Sequence, residues 1–301
     1  MTSPDERCPD ERCPDERCLV GLVGAGIGSS MSPALHEREA DRHGVRYFYE
    51  IIDLESLGLA AGDVGELVVA ARRLGFRGLN ITHPCKQEVV KYLDDLAPEA
   101  AELGAVNTVL FEGGRATGHN TDRYGFAAGL ARALPGAATG HVVLLGAGGA
   151  GAAVASALAG AGTHLLTVAD VDLERAHRLA RALAGHGATA VEAVGPEAVP
   201  DRLARADGLV NATPIGMEGH PGTPVDVEHL RPDLWVADVI YRPLETGLIR
   251  AARERGCRVA DGGGMVVYQA AASFRLFTGR TPDEDRMYRD FVELTGGAGD
   301  V

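Results

Sequence analysis

The chain has 301 residues and carries 29 basic against 42 acidic side chains, a net charge of −13. Such a balance, with no basic cluster, argues against nucleic acid or an anionic membrane as partner, though a small local pocket can still take an anionic ligand. The length allows one large or two ordinary domains, and 46% hydrophobic residues are enough to give each a core.

Residues 4–18 are three copies of Pro-Asp-Glu-Arg-Cys. A charged five-residue period presents no apolar face at period 2 or 3.6, so the leader 1–18 is expected to be disordered. Its Cys8, Cys13 and Cys18 fit no common zinc spacing and have no accompanying His pair, while Cys85 and Cys257 are far apart. The expectation is reduced thiols, no metal and a cytoplasmic protein. No secretory signal is expected either, because the start is acidic and Pro-rich.

Folded sequence begins with an apolar run at 18–23, read as a buried strand, which leads into Gly24-Ala25-Gly26-Ile27-Gly28-Ser29. This imitates a dinucleotide loop, but Ser29 stands where a third glycine belongs, so a phosphate-free turn is expected. A helix is predicted over 32–43 with Pro33 in its first turn, then a strand over 47–52 and a helix over 66–74 stopped by Gly75. Residues 78–82 read as a strand, and Pro84 is expected to open a helix with Lys86 in its first turn. A helix from Pro98 to Gly104 precedes strands at 105–111 and 115–119 around Gly113-Gly114.

The segment from 142 to 170 is the most specific. Val142-Val143-Leu144-Leu145 reads as a buried strand running into Gly146-x-Gly148-x-x-Gly151, an Ala-rich helix over 152–160 follows, and a strand over 164–169 ends on Asp170. Strand, glycines, helix, strand and acid in that order form the dinucleotide fingerprint. The glycines serve the tight turn, the approach of a pyrophosphate to backbone N–H groups, and close helix–sheet packing. Residues 142–162 carry no charge and are long enough to cross a bilayer, but their glycines sit at fingerprint spacing, so strand–loop–helix is the better reading. A helix over 173–183 and strands at 208–213 and 234–239 continue the pattern. The helix-rich stretch 265–294 has no strand partner nearby and is expected to return to the first domain.

Polar residues gather at the strand ends. Ser30 and Ser32 flank Met31 at a helix start, where they either bind a carboxylate or, for Ser32, simply cap the helix. Asn80 and Thr82 alternate with Ile81 and so share one face. Lys86 at a helix N-terminus is a candidate proton acceptor, the alternative being a solvated surface charge. Asn107 and Asn120-Thr121-Asp122 follow at loop mouths, and Asp122 either caps the next helix or faces an interdomain cleft. Together they suit a small polyhydroxylated acid.

The blocks Ser30-Met31-Ser32-Pro33, Asn80-Ile81-Thr82-His83-Pro84-Cys85-Lys86, Ala105-Val106-Asn107-Thr108, Asn120-Thr121-Asp122, Asn211-Ala212-Thr213-Pro214, Asp238-Val239-Ile240-Tyr241 and Gly264-Met265-Val266-Val267-Tyr268-Gln269 resemble, in order, the signature blocks of the shikimate dehydrogenase family. The resemblance covers about residues 19–295. It implies an α/β chain with an N-terminal substrate domain (19–122, completed by 265–301), a Rossmann-type doubly wound domain (123–264) and the active site in the cleft between them. Lys86 and Asp122 would be the catalytic pair, Ser30 and Ser32 would hold the carboxylate, and Asn80, Thr82, Asn107 and Gln269 would bind ring hydroxyls, with Tyr241 nearby. On the cofactor side it implies Gly146, Gly148, Gly149, Ala150, Gly151, Asp170, Asn211, Thr213 and Gly262. The partner is then shikimate or quinate, with no nucleic acid or membrane, in a monomer or homodimer.

Members using NADP place Asn-Arg-Thr or Asn-Arg-Ser where this chain has Asp170-Val171-Asp172. The cation is missing and Asp170 would repel a 2′-phosphate, so NAD is expected over NADP, unless Asp170 only caps the next helix. Other phrases resemble the NAD-dependent quinate/shikimate branch, some members of which carry Thr in place of Ser32. The alternatives are an NADP-dependent biosynthetic shikimate dehydrogenase, an aminoshikimate or aminoquinate dehydrogenase, and a non-catalytic regulator, which would be expected to lose Lys86 or Asp122.

Overall fold

The computed structural model describes residues 17–184 and 189–296. The leader through residue 16, with Cys8 and Cys13, lies outside the described residues, as do 297–301. The first strand, expected from Cys18, begins one residue earlier, with Arg17 and Cys18 of the repeat's last copy paired with Arg46 and Tyr47. Cys18 is buried there among apolar neighbours, which is what fixes it.

The first sheet holds strands β1 (Arg17–Gly24), β2 (Arg46–Asp53), β3 (Gly78–Ile81), β4 (Asp95–Leu96), β5 (Thr108–Glu112) and β6 (Arg115–His119) in the order β2-β1-β3-β5-β6-β4. β1 runs parallel to β2 and β3, whereas β5 is antiparallel to β3 and β6. Its connections contain α1 (Ser32–Arg42), α2 (Leu54–Leu57), α3 (Val64–Arg73) and α4 (Pro98–Leu103). The apolar run of β1 is explained by cover on both faces. One face meets α3 through Val64, Val68 and Ala71, the other meets Phe274 and Phe277.

α5 (Asp122–Ala133) leads to the second sheet, made of β7 (His141–Leu145), β8 (Leu165–Ala169), β9 (Ala190–Val194), β10 (Gly208–Asn211), β11 (Trp235–Asp238) and β12 (Arg258–Ala260). All its strands are parallel, in the order β12-β11-β10-β7-β8-β9. With α6 (Gly149–Gly160), α7 (Leu173–Leu183), α8 (Val199–Leu203) and α9 (Gly247–Glu254), this is the doubly wound arrangement. Strand order reverses between β7 and β10, which opens a crevice at their C-terminal ends. The uncharged window 142–162 is divided between β7 and α6. No helix among the described residues is long and apolar enough to cross a membrane.

The chain ends in α10 (Gly263–Thr278) and α11 (Glu284–Leu294). α10 returns to the first sheet: Phe274 and Phe277, 0% and 2% exposed, pack on Val20, Tyr47 and Tyr49. Each ring contributes roughly 1.5–3 kcal/mol by burial. Gly78 permits this approach, because a Cβ there would strike the Phe277 ring and the Val109 carbonyl. α11 is clamped to α1 by Arg286 on the fully buried Glu39 (2.7 and 3.1 Å) and by Arg42 on Asp290.

Two expected elements differ. No α-helix opens at Pro84: 83–87 are turns, followed by a 3-10 helix at Glu88–Tyr92. The Lys86 carbonyl is taken from outside the segment, by Val106 N–H at 2.8 Å, while the Cys85 side chain plugs the core. The strand expected from 105 begins at Thr108. Elements without a sequence assignment include the short α2, β4 and α8, the half-exposed edge strand β9, the three-residue β12, and α9, whose Thr246 caps Ile249 N–H.

Candidate active site

The turn after β3 and the start of α5 bring Lys86 and Asp122 together: Lys86 Nζ donates to Asp122 Oδ2 at 2.6 Å. Their side chains are 20% and 6% exposed, so the lysine is reachable and the carboxylate is not. The sequence argument that a helix N-terminus acts on Lys86 fails, since Lys86 lies in a turn. That terminus belongs to Asp122, the first residue of α5, where the positive helix end faces a carboxylate. The cap position is Thr121, and Asn120 Oδ1 accepts Asp122 N–H at 3.1 Å, so the Asp122 side chain is free to face Lys86.

Asn107, 3% exposed, holds this carboxylate in place. Its Nδ2 donates to Asp122 Oδ1 and Thr121 Oγ1 (both 2.9 Å), and its Oδ1 accepts from Thr121 N–H (2.8 Å) and Thr108 Oγ1 (3.0 Å). An amide has two donors and two acceptor sites, and all four are engaged. A ring hydroxyl would have to displace one of them, so in this arrangement Asn107 orients Asp122. Asn80 donates to the Asn107 carbonyl (3.3 Å) and Thr108 Oγ1 (3.1 Å) and accepts from Tyr49 at 2.7 Å. Thr82, half-buried, follows β3 directly.

Ser30 and Ser32 stand at the opening of α1. The capping position is Met31 and carries no side-chain bond, so Ser32 is not spent as a cap. The two hydroxyls lie 3.3 Å apart and both are half-buried. Tyr241 packs with Met31 and Leu35, and burial pushes its phenol above the ordinary range. Gln269, on the half-buried side of α10, abuts Gly125 near the start of α5 and donates to the Val266 carbonyl at 3.1 Å.

The nucleotide side is a backbone cradle. Gly146 has φ +93° and a Cβ there would be 2.8 Å from the Ala212 carbonyl oxygen, so the loops after β7 and β10 abut at the crevice. A Cβ on Gly151 would fall on the Gly146 carbonyl, whereas one on Gly148 would meet nothing within 4 Å. That open space lies at the N-cap of α6, beside backbone N–H groups that have no partner within the helix and could hold a phosphate. Gly149 and Ala150 are half-buried in the first turn, and a Cβ on Gly149 would lie 3.9 Å from Lys86 Cδ. The loop thus borders the candidate reacting lysine. Gly262 lets the chain enter α10 against the Ile240 carbonyl.

Asp170 does not cap α7; Asp172 does, accepting Arg175 N–H. Asp170 Oδ2 accepts Ala147 N–H and Oδ1 accepts Asp172 N–H, both at 2.8 Å, which ties the glycine loop to β8. Each oxygen keeps an acceptor site for a ribose hydroxyl. Val171 is 89% exposed, but the region is not without cations: Arg175 lies 3.9 Å from Asp170 and 3.7 Å from Asp172, and Arg178 is 3.8 Å from Asp172. Sequence reasoning looked only at 171 and missed a helical turn that carries Arg175 back.

Asn211 is fully buried, donates to the Ile215 carbonyl and Asp238, and accepts from Thr213 N–H and Oγ1. It shapes the loop that presents Thr213. Asp238, unassigned from sequence, also accepts Ile240 N–H and Thr246 Oγ1, and burial raises its pKa to about 6. Across the cleft, Arg242 donates to the Ser29 carbonyl. Among the described residues no group of three or more His, Cys, Asp or Glu could hold a metal ion.

Two family models match the chain: the shikimate dehydrogenase substrate-binding domain over residues 22–109 and the shikimate 5′-dehydrogenase C-terminal domain over 262–289. A shikimate dehydrogenase (NADP(+)) of Streptomyces avermitilis is 60% identical over 93% of this chain and 97% of its own. A quinate/shikimate dehydrogenase (NAD(+)) of Corynebacterium efficiens is 48% identical over 92% and 98%. Among solved structures, quinate dehydrogenase from Corynebacterium glutamicum in complex with NAD superposes with a TM-score of 0.87 at 46% identity, covering 93% of this chain and all (100%) of that one. Shikimate 5-dehydrogenase from Thermus thermophilus, in complex with NADP(H) and shikimate, gives 0.80 at 34% identity over 92% and 99%.

Proposed function

The chain belongs to the shikimate dehydrogenase family, oxidoreductases acting on an alcohol with a nicotinamide dinucleotide, and from that premise we propose that it oxidises shikimate or quinate reversibly to the 3-dehydro ketone, with NAD preferred. In this reading residues 19–122 with the helices from 265 onward grip the acid, and 123–264 hold the nucleotide. The observation that carries it is the Lys86–Asp122 pair, 2.6 Å apart and bordered by the Gly149 turn of the nucleotide cradle.

A nicotinamide dinucleotide held at the Gly146–Gly151 loop would supply the hydride acceptor for the alcohol carbon. The chain supplies the proton path: as hydride leaves, the hydroxyl proton passes to the lone pair of the neutral Lys86 amine, which becomes an ammonium held by Asp122 Oδ2, and in reverse that ammonium returns the proton to the carbonyl oxygen. Asp122, held by Asn107 and the start of α5, fixes the Lys86 ammonium and balances its charge. The paired hydroxyls of Ser30 and Ser32 suit the carboxylate, and Thr82 and Gln269 stand where ring hydroxyls would be read. General acid–base help of this type contributes about 10²–10⁴ in rate.

The NAD preference rests on the buried Asp170 carboxylate and the absence of a cation at Val171. A second reading, NADP use, is favoured by Arg175 and Arg178, both within 4.0 Å of these aspartates, and agrees with the name of the 60% identical relative. Initial rates with shikimate and quinate, each with NAD and with NADP, decide both questions. Higher kcat/KM with NADP would overturn the preference, and no turnover of either acid would overturn the substrate reading.

A further inference from the structure

Under the serine pair lies a tyrosine to which neither the sequence motifs nor the proton path gives a part. Tyr49 on β2 is 7% exposed and donates its phenolic proton to Asn80 Oδ1 at 2.7 Å. From there the donors follow one another in a single direction: Asn80 Nδ2 to Thr108 Oγ1 at 3.1 Å, Thr108 to Asn107 Oδ1 at 3.0 Å, and Asn107 Nδ2 to Asp122 Oδ1 at 2.9 Å. The chain ends on the carboxylate that grips Lys86. The other Asn80 proton goes to the Asn107 carbonyl, so Asn80 has no donor left and one acceptor site, on Oδ1.

We propose that Tyr49 is a substrate-positioning residue: its hydroxyl locks the Asn80 amide so that Asn80 meets the substrate only as an acceptor, and the ring hydroxyl it reads must donate. The inference rests on the substrate reading above. Burial pushes the Tyr49 phenol far above its ordinary pKa, against a hydrogen bond with Ser32 that pulls the other way, so the proton stays available for Asn80 at working pH. The ring itself is held by His36, at 4.9 Å, and by Tyr47, at 6.4 Å. Its place is therefore set without the hydroxyl, which is left for orientation. Loss of the hydroxyl leaves Asn80 able to turn its amide and costs the substrate one oriented acceptor.

The test is Tyr49→Phe, which keeps the ring. KM for shikimate or quinate is expected to rise about five- to tenfold with kcat within about twofold and nucleotide affinity unchanged. In an Asn80→Ala background the same change should add nothing further to KM, because Tyr49 acts through Asn80. A phenol that only fills space would alter the melting temperature and leave KM alone. Unchanged KM, a fall in kcat at constant KM, or additive effects in the double variant each overturn the proposal. If Asn80→Ala does not fold, the KM and kcat of the single variant decide. Wild-type turnover with an unaffected Tyr49→Phe removes this inference alone, whereas a wild type that oxidises neither acid removes the substrate reading and this inference with it.

Discussion

The nucleotide half of the cleft is made largely of backbone, with Gly146, Gly148 and Gly151 shaping a cradle around space at the N-terminus of α6, whereas the substrate half is made of side chains. There Tyr49, Asn80, Thr108, Asn107, Asp122 and Lys86 form one connected set drawn from β2, β3, β5, the start of α5 and the loops between them. A backbone cradle needs only small residues at fixed spacing and tolerates change around it. A side-chain network is specific to the shape it reads, and each member constrains the next. On the function proposed, the first half would bind a common cofactor and the second would discriminate among acids.

The sharpest way to separate the halves is Lys86→Ala. Turnover should fall by about 10²–10⁴ while nucleotide affinity, measured by fluorescence titration, stays within about twofold. A comparable loss of nucleotide binding would mean that the halves are not independent.

Next in size is an acid effect confined to the substrate half. Burial lowers the His36 pKa from 6.5 to about 3, so the folded protein keeps the imidazole neutral while the unfolded chain protonates it below 6.5. The unfolded state then binds more protons, and stability present above pH 6.5 is lost as pH falls toward 3, by up to about 4–5 kcal/mol. Urea unfolding at pH 7 and pH 4 should show a smaller loss for His36→Phe than for wild type. Equal losses would place the acid sensitivity elsewhere.

Glycine replacements probe the cradle. Gly151→Ala forces a Cβ onto the Gly146 carbonyl and should cost roughly 1–3 kcal/mol of stability together with nucleotide binding. Gly148→Ala meets open space, so its melting temperature should be unchanged while nucleotide affinity drops about tenfold. If both variants behave alike, the space over Gly148 is not the pyrophosphate site. The smallest effect is expected at the cradle's one side-chain reader. Asp170→Ala with Val171→Arg should shift the NADP-to-NAD ratio of kcat/KM by about tenfold toward NADP, and an unchanged ratio would move the discrimination to Arg175 and Arg178.

Much of this was legible without coordinates. The strand–glycine–helix–strand–acid order from Val142 to Asp170 gives the doubly wound sheet, because backbone geometry demands those residue types at those places. The serine pair and the strand-end polar residues showed where a site would form. Local pattern failed where long-range packing chose the structure. Pro84 has the look of a helix start, yet the Lys86 carbonyl is taken by Val106 N–H across the sheet. Nor does local pattern encode that Asn107, expected to bind a ring hydroxyl, also bonds Asp122, Thr121 and Thr108.

By itself the sequence determined the family, the fold class and the glycine loop, since these depend on residue type and spacing along the chain, whereas the pairing of Lys86 with Asp122 was implied by the resemblance. Only the tertiary structure decided which hydrogen-bonding groups remain available. It seated Phe274 and Phe277 under the first sheet, brought Tyr49 to Asn80, returned Arg175 to Asp170, and gave the cap of α7 to Asp172, leaving Asp170 to the glycine loop. The physical reason is that donors and acceptors are counted in space: whether an amide has a free lone pair depends on neighbours that the chain brings back from tens or hundreds of residues away.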